Sequence, residues 1–335
     1  MVEFAFLTKV VASLKRAKRA SWTGDGRGLS RERKAGALPQ DARRSRKPGP
    51  GNGSFGVEDA GHEAAGRRGR VYIVGAGPGD PGLLTLKGKR CLEEADIIVY
   101  DYLVNEDILA HGRSGVRRVR LGKPGSAGRL SQDEVNRLLV RHAGEGKVVV
   151  RLKGGDPFIF SRGGEEAEAL AGAGVAFEIV PGVTSAIAVP GYAGIPLTHR
   201  HMASSVAFVT GHEDSIKEAS GIDWKAVAGM GTVVFLMGVS RLSQIVARLV
   251  EEGRAPETPV AVIEWGTWPG QRTVTGTLRD IREKAHGMGR PAVIVVGEVV
   301  RLRNRLKWFK ELPASRRATE AKRQQEVAPT KALKA

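Results

Sequence analysis

The sequence has little of several residue types on which common functional sites depend. Its 335 residues include one cysteine, Cys91, which excludes an intrachain disulfide and any zinc or iron–sulfur site built from several cysteines. Its apolar runs end well before the roughly 18 residues that a membrane-spanning helix needs. Walker, HExxH and Ser/His/Asp motifs are also missing, so we expect neither a metal centre nor a covalent protein nucleophile.

The composition is that of an ordinary globular protein. Hydrophobic residues make up 41% and charged residues 27%, which excludes a collagen-like or fully disordered chain. The length predicts about two domains. A secretory signal is not expected, because Glu3 and Lys9 interrupt the first apolar stretch. We therefore expect a cytoplasmic protein without a membrane partner.

The net charge of +17 lies almost entirely in the two ends of the chain. Residues 1–69 hold 15 Lys and Arg against seven Asp and Glu, and residues 301–335 hold 11 against three, which leaves +1 for residues 70–300. A nucleic-acid-binding protein is an alternative that rests on this charge, but such tails attract anions weakly and without specificity. Residues 16–69 and 311–335 are polar and lack an apolar period, so we expect disordered basic extensions over 1–69 and 311–335. At the start of the first extension, Phe4, Leu7, Val11 and Leu14 are spaced like one face of a helix, for which a transit peptide and a surface-lying helix are alternatives.

From residue 70 onward, short apolar strands alternate with helices, which predicts an α/β fold with βαβ units and a mostly parallel sheet. The first set has strands at 70–74, 97–100, 148–152 and 177–180, with helices at 86–95, 130–143 and 165–173. The second set has strands at 205–210, 232–237, 260–264 and 293–297, with a helix at about 240–252. Gly194 and Pro196 lie between the sets, so we expect two α/β domains, 70–192 and 193–310.

The first strand runs into a glycine-rich loop, residues 75–82. This loop is similar to a dinucleotide-binding loop, except that Asp80 takes the place of the third glycine of GxGxxG. A carboxylate there repels a pyrophosphate, and Pro78 removes an amide donor. A phosphate-free adenosyl ligand therefore fits better than NAD(P). A plain strand-to-helix turn would account for the same glycines.

The loop after the third predicted strand, residues 153–166, carries two pairs of glycines around Asp156 and Arg162. Asp156 is able to accept hydrogen bonds from a hydroxyl or an amine, and Arg162 is able to hold a carboxylate with its forked guanidinium. The structural alternatives are a turn at Asp156-Pro157 and an ion pair between Arg162 and Glu165 at a helix start.

Three further positions have weaker signals. Thr184 and Ser185 follow the fourth strand and precede a helical stretch, where hydroxyl side chains are common N-caps. His199 and Arg200 lie at the domain junction, and a lone histidine is more often structural than catalytic. Cys91 lies on a helix among apolar residues, so we expect an inert thiol.

Taken together, these stretches resemble the tetrapyrrole (corrin/porphyrin) methylases. The resemblance covers about residues 70–308 and rests on 74–85, 101–104, 151–166, 180–185, 193–200 and 296–300. The first loop is shared across the superfamily, whereas 151–166 together with 193–200 is typical of the members that methylate uroporphyrinogen III. Ser161 is a departure, since the family usually has glycine there.

The resemblance implies two α/β domains with S-adenosyl-L-methionine in the cleft between them, and a homodimer. It also implies C-methylation of uroporphyrinogen III at C-2 and C-7, giving precorrin-1 and then precorrin-2. The residues that it assigns to the methyl donor are Pro78, Gly154, Gly155, Asp156, Thr184, Ser185, Met237, Gly266 and Ala292. Those that it assigns to the substrate and the chemistry are Asp101, Arg162, Glu165 and Arg200. Another methylase of the same superfamily, acting on a later corrin intermediate or on a protein or RNA, is the main alternative.

Overall fold

The structure is a computed structural model that describes residues 69–122, 130–211, 221–313 and 316. The described residues belong to one compact unit built on two five-stranded sheets. Apart from residues 69, 311–313 and 316, the expected disordered extensions lie outside the described residues. Along the described chain, no helix combines the length and the apolar character that crossing a bilayer requires.

The first sheet is wholly parallel. Its strands are Arg70–Gly75 (β1), Ile97–Tyr100 (β2), Arg117–Arg120 (β3), Val148–Lys153 (β4) and Ala176–Val180 (β5), in the order β3-β2-β4-β1-β5. Strands β1 and β2 are almost continuously apolar and buried because helices cover both faces of the sheet. The four predicted strands are confirmed. Strand β3 is not predicted, because three of its four residues are arginines and it lies at the sheet edge.

Helices Leu86–Glu94 (α1), Gln132–Gly144 (α2) and Gly163–Gly172 (α3) connect these strands, and Ser185–Tyr192 (α4) follows β5. Polar side chains fix where the helices begin. Thr85 Oγ1 accepts a 3.0 Å hydrogen bond from the Gly88 amide, and Ser131 forms a capping box with Glu134. Helix α1 packs on one face of the sheet, and helices α2 and α3 pack on the other.

The second sheet is mixed. Its strands are Val206–Thr210 (β6), Thr232–Leu236 (β7), Pro259–Glu264 (β8), Arg272–Thr277 (β9) and Ala292–Val296 (β10), in the order β6-β7-β10-β8-β9. Strands β6 and β7 pair in parallel, and all other pairs in this sheet are antiparallel. The mostly parallel arrangement expected from the sequence therefore holds for the first sheet alone. The cause is that β8 and β9 form a hairpin and β10 inserts between β7 and β8 in the opposite direction.

The helices of the second half are Trp224–Ala228 (α5), Leu242–Glu251 (α6), Ile281–Lys284 (α7) and Arg303–Leu306 (α8). Helix α6 confirms the helix expected near 240–252. Its apolar face buries Ile245, Val246 and Leu249 against one face of the second sheet, and full burial of such side chains stabilises by about 1.5–3 kcal/mol each.

Helix α4 connects the two sheets. It follows β5 of the first sheet, yet its residues Ala186 and Val189 pack with Val234 and Leu236 of the second sheet. The expected domain boundary at residue 193 comes directly after this helix and stays a prediction.

Candidate active site

A cavity of about 870 Å³ is lined by residues from both sheets. Its size lies within the usual range of small-molecule sites. One side comes from the loops after β1, β2, β4 and β5, and the other from the end of β7, the β8–β9 loop and the start of β10. The cavity therefore lies outside the carboxyl ends of the parallel strands, where α/β sheets bind ligands.

All nine residues that the resemblance assigns to the methyl donor line this cavity. They are Pro78, Gly154, Gly155, Asp156, Thr184, Ser185, Met237, Gly266 and Ala292. Asp101 and Arg162 line it as well, whereas Glu165 and Arg200 are exposed and do not. The structure thus brings together eleven of the thirteen expected site residues, while their individual roles stay predictions.

The glycine-rich loop after β1 packs against protein backbone. Gly75 lies so close to Gly182 that a Cβ on either residue would overlap the other. Gly77 and Gly155 exchange two backbone hydrogen bonds of 3.2 and 2.8 Å. These glycines hold the loops after β1, β4 and β5 together, so their small size serves loop packing here.

The two glycines after β4 leave room for a ligand. A Cβ on Gly154 would meet its nearest neighbour, the Leu103 Cβ, at 3.7 Å, and one on Gly155 would meet the Ser185 amide nitrogen at 3.7 Å. Gly155 also has a φ of +69°, which glycine adopts without steric cost. A bound molecule can therefore approach the main chain at this point.

Asp156 links the loops after β4 and β5. Its Oδ1 accepts a 2.8 Å hydrogen bond from the Phe158 amide, and its Oδ2 accepts a 3.0 Å bond from the Gly182 amide. The turn expected as the structural alternative is therefore present, and the same carboxylate also faces the cavity.

Arg162 occupies the N-cap of α3 with a left-handed φ of 62°. Its Nε and Nη2 donate hydrogen bonds of 2.9 and 2.7 Å to the two carboxylate oxygens of Glu165. This hydrogen bonding raises the pKa of Arg162 and lowers the pKa of Glu165. The side chains are 55% and 51% exposed, so the pair holds a forked cation at the cavity mouth within reach of solvent.

Thr184 and Ser185 mark the start of α4. The Thr184 hydroxyl accepts a 3.3 Å hydrogen bond from the Ala186 amide, as expected of an N-cap. Both residues also line the cavity, so the capping role and contact with a ligand are compatible.

Backbone strain is concentrated around the cavity. In the part of the chain that the structure describes, the non-glycine residues with a positive φ are Phe160, Arg162, Met237, Trp265 and Thr267. Three of them line the cavity, and the other two flank Gly266, which does. Each such conformation costs about 1–3 kcal/mol and is found mainly where function requires it.

The match to a known family agrees with this geometry. The model for "Tetrapyrrole (Corrin/Porphyrin) Methylases" matches residues 70–282. The chain belongs to the tetrapyrrole methylases. The resemblance seen in the sequence is thereby confirmed.

This methylase has close relatives. It is 52% identical over 241 residues to the S-adenosyl-L-methionine-dependent uroporphyrinogen III methyltransferase of Methanosarcina barkeri, which covers 71% of this chain and 94% of that protein. It is also 50% identical over 244 residues to the siroheme synthase of Edwardsiella ictaluri. That match covers 72% of this chain and 52% of the siroheme synthase, so the chain spans about half the length of that relative. Among solved structures, it is similar to a uroporphyrin-III C-methyl transferase from Thermus thermophilus complexed with S-adenyl homocysteine, with a TM-score of 0.61, 44% identity, and coverage of 70% of this chain and 100% of that chain.

The methylase also contains a buried charge cluster that motif analysis misses. Arg151 and Lys153 on β4 and Glu166 on α3 are 3%, 1% and 0% exposed. The sequence indicates this cluster by placing two cations, Arg151 and Lys153, inside an otherwise apolar strand. Arg and Lys are almost never fully buried unless they are paired, so buried acidic partners are expected. Burial alone would lower the pKa of Arg151, but the carboxylates of Asp101 and Glu166 reverse this and raise it.

Asp80 has a second role in the methylase beyond the expected repulsion of phosphate. Its Oδ1 accepts a 2.7 Å hydrogen bond from the Gly82 amide, and its Oδ2 accepts a 2.6 Å bond from the Tyr192 hydroxyl. Its own amide donates to Thr267 Oγ1 at 3.2 Å. Asp80 therefore ties the first loop to α4 and to the β8–β9 loop.

Two other candidates lie away from the cavity lining of the methylase. His199 Nδ1 accepts a 3.3 Å hydrogen bond from the His201 amide, which is a local turn contact. Cys91 is buried on α1, and burial raises the pKa of its thiol to about 11. The expectation of an unreactive thiol agrees with that environment.

Proposed function

We propose that this chain is an S-adenosyl-L-methionine-dependent methyltransferase that acts on uroporphyrinogen III. It methylates C-2 and C-7 to give precorrin-1 and then precorrin-2, a precursor for sirohaem- or cobalamin-type tetrapyrrole biosynthesis. The observation that carries this proposal is that all nine expected donor-binding residues line one cavity. The 52% identity to a methyltransferase of that stated activity supports the same substrate. The homodimer implied by the family and the cytoplasmic location expected from the sequence remain predictions.

The residues of the cavity fit a phosphate-free adenosyl ligand. The pyrophosphate of a dinucleotide would need free backbone amides in the glycine-rich loop. Several amides of this loop already donate hydrogen bonds to oxygen atoms of the protein, namely those of Ala76, Gly77, Asp80 and Gly82. The space beside Gly154 and Gly155 lets a ligand approach the main chain closely, and the exposed side chain of Met237 adds an apolar contact. When bound, S-adenosyl-L-methionine supplies an electrophilic methyl group, which an electron-rich pyrrole carbon takes directly.

The work of the protein is then to position the substrate and to exclude water. Well-oriented reactants can contribute about 7–11 kcal/mol to lowering a barrier, without any covalent protein nucleophile. Uroporphyrinogen III is a polycarboxylate, so its site needs cations. Arg162 offers a forked guanidinium at the cavity mouth, and Glu165 holds that guanidinium in place. We assign Arg200, which is exposed, to the same substrate on the family pattern.

Asp101 is the candidate for moving a proton. Methylation of a pyrrole carbon leaves a cationic ring that returns to neutrality when it loses a proton. The Asp101 side chain is 28% exposed, lines the cavity and is held by Arg151, so its carboxylate is placed to accept that proton.

The proposal is tested by incubating the purified full chain with S-adenosyl-L-methionine and uroporphyrinogen III under anaerobic conditions. We expect mass spectrometry to detect tetrapyrroles that have gained one and then two methyl groups. A panel with a later corrin intermediate and with protein and RNA acceptors serves as the comparison. Methylation of one of those acceptors, with uroporphyrinogen III untouched, would replace this proposal with another activity of the superfamily.

A further inference from the structure

A continuous line of ion pairs connects the cavity wall to the interior of the first sheet. Asp101 Oδ1, at the cavity, accepts a 2.5 Å hydrogen bond from Arg151 Nη2. The other side of the same guanidinium donates from Nε to Glu166 Oε1 at 3.0 Å. Lys153 Nζ donates to that same oxygen at 2.9 Å. Arg151 is thus held between two carboxylates, one at the cavity and one in the core.

Glu166 has no access to solvent, and its position is fixed by its donors. Gln132 Nε2 donates to Oε1 at 3.2 Å in addition to the two cations, while Oε2 is buried without a hydrogen-bond partner. A fully buried carboxylate carries a large desolvation cost, and replacing such a cluster by apolar side chains often leaves a protein equally stable. Stability alone is therefore a weak account of the arrangement, whereas its contact with Asp101 connects it to the cavity.

We propose that Glu166 and Lys153 are positioning residues: they anchor Arg151, and Arg151 holds the carboxylate of Asp101 at the cavity wall. This inference rests on the proposed function, because it assigns Asp101 to the proton step. Glu166 does not line the cavity, so it acts through Arg151. The two cations and two carboxylates balance, and removal of any one member changes the charge that Asp101 experiences.

The surroundings determine the direction of each change. Arg151 and Lys153 of β4 interact electrostatically with Asp101, and Glu166 of α3 pairs with both of these cations. The other charged residues that line the same cavity are Asp133 and Glu134 of α2, Asp156 after β4, and Arg162 before α3. Loss of the Glu166 charge leaves two cations facing one carboxylate, which favours the ionised form of Asp101. Loss of the Lys153 charge leaves two carboxylates sharing one guanidinium, which disfavours it.

The test compares pH–rate profiles of the full-length chain with uroporphyrinogen III as substrate. In Glu166→Gln, we expect kcat to fall about tenfold or more and the acid limb to move to lower pH by about half a unit or more. In Lys153→Met, we expect the acid limb to move to higher pH by a similar amount. Glu168→Gln, on the exposed side of the same helix, is the matched control and should follow the wild type. Calorimetric affinity for S-adenosylhomocysteine should stay close to wild type in Glu166→Gln and Glu168→Gln, because neither residue lines the cavity.

A charge-balanced double variant distinguishes an effect of charge on the acid limb from a general loss of structure. Lys153→Met with Glu166→Gln removes one cation and one anion, so the acid limb should return towards the wild-type position while kcat stays low because Arg151 has lost its ion pair with Glu166. Lowered kcat in every variant with no movement of the acid limb would show a structural cluster only and would overturn the inference. Wild-type kinetics in Glu166→Gln would overturn it as well. If the wild-type chain itself fails to methylate uroporphyrinogen III, the proposed function fails first, and that result is distinct from either outcome.

Discussion

The indole Nε1 of Trp268 donates a 3.1 Å hydrogen bond to the carbonyl of Pro78. This hydrogen bond joins the β8–β9 loop of the second sheet to the glycine-rich loop of the first sheet. Both Pro78 and Trp268 line the cavity. The contact depends on Gly79, where a Cβ would overlap the Trp268 indole. Glycine at this position thus serves contact between the two halves of the site.

Gly79→Ala should therefore separate the two loops and weaken the donor site. We expect a loss of about 1–3 kcal/mol in the free energy of unfolding, typical of overpacking, together with weaker calorimetric binding of S-adenosylhomocysteine. Gly172→Ala is the control, because a Cβ there would meet nothing within 4 Å and the residue is exposed on α3. Equal behaviour of the two variants would show that the Pro78–Trp268 contact has no part in binding.

Local patterns were sufficient to predict most elements of the fold. Apolar runs such as Ile97–Tyr100 have the length and composition of buried strands, and the spacing of Ile245 and Leu249 indicates one face of a helix. Strands β3 and β9 are not predicted by such patterns. Both lie at the edge of a sheet, where a strand buries less side-chain surface and tolerates Arg and Thr. The antiparallel direction of β10 depends on long-range pairing, which no local pattern specifies.

The site could be predicted in part for a similar reason. Gly154, Gly155, Asp156 and Thr184 are recognisable in the sequence as loop residues that follow strands, and all four line the cavity. The buried position of Glu166 is not visible, because a Glu in the first turn of a helix is ordinarily an exposed residue that complements the helix dipole. Only the packing of α3 on the sheet places Glu166 against Arg151.

Arg162→Ala should impair the use of the tetrapyrrole while sparing the donor. A charge-assisted, two-pronged bond to a carboxylate contributes about 1.5–3 kcal/mol, so we expect kcat/KM for uroporphyrinogen III to fall roughly 10- to 100-fold. Binding of S-adenosylhomocysteine should stay near wild type. The matched control is Arg248→Ala, which breaks an exposed pair with Glu251 at the same i,i+3 spacing on α6. Wild-type kinetics in Arg162→Ala would remove this residue from the site.

Asp156→Ala should act on the donor instead. It leaves the Phe158 and Gly182 amides without their carboxylate acceptor, and the loops after β4 and β5 lose their link. We expect the affinity for S-adenosylhomocysteine, measured by calorimetry, to fall about tenfold or more. Asp223→Ala removes a comparable carboxylate-to-amide bond at the start of α5, away from the cavity lining, and should cost about 1 kcal/mol of stability without changing that affinity. Unchanged affinity in Asp156→Ala would contradict its assignment.

Glu145 gives a prediction about acid stability that is independent of the site. Its carboxylate accepts from His142 Nδ1 at 3.0 Å and from Lys147 Nζ at 2.9 Å. These hydrogen bonds, first from His142 and then from Lys147, lower the pKa of Glu145 from 4.5 to about 2. Because the folded state favours the ionised form, the stabilisation is present in full above about pH 4.5 and is lost as the pH falls towards 2.

Glu145→Gln should therefore lower the free energy of unfolding at pH 7, and the difference from wild type should shrink between about pH 4.5 and pH 2. Urea unfolding across that range measures it directly. Glu251→Gln is the comparison, because that carboxylate is exposed and its one Arg248 contact is 3.4 Å long, so its substitution should change the curve less. A difference between Glu145→Gln and wild type that is constant from pH 7 to pH 2 would mean that packing of the side chain, and not its ionised carboxylate, stabilises the fold at this position.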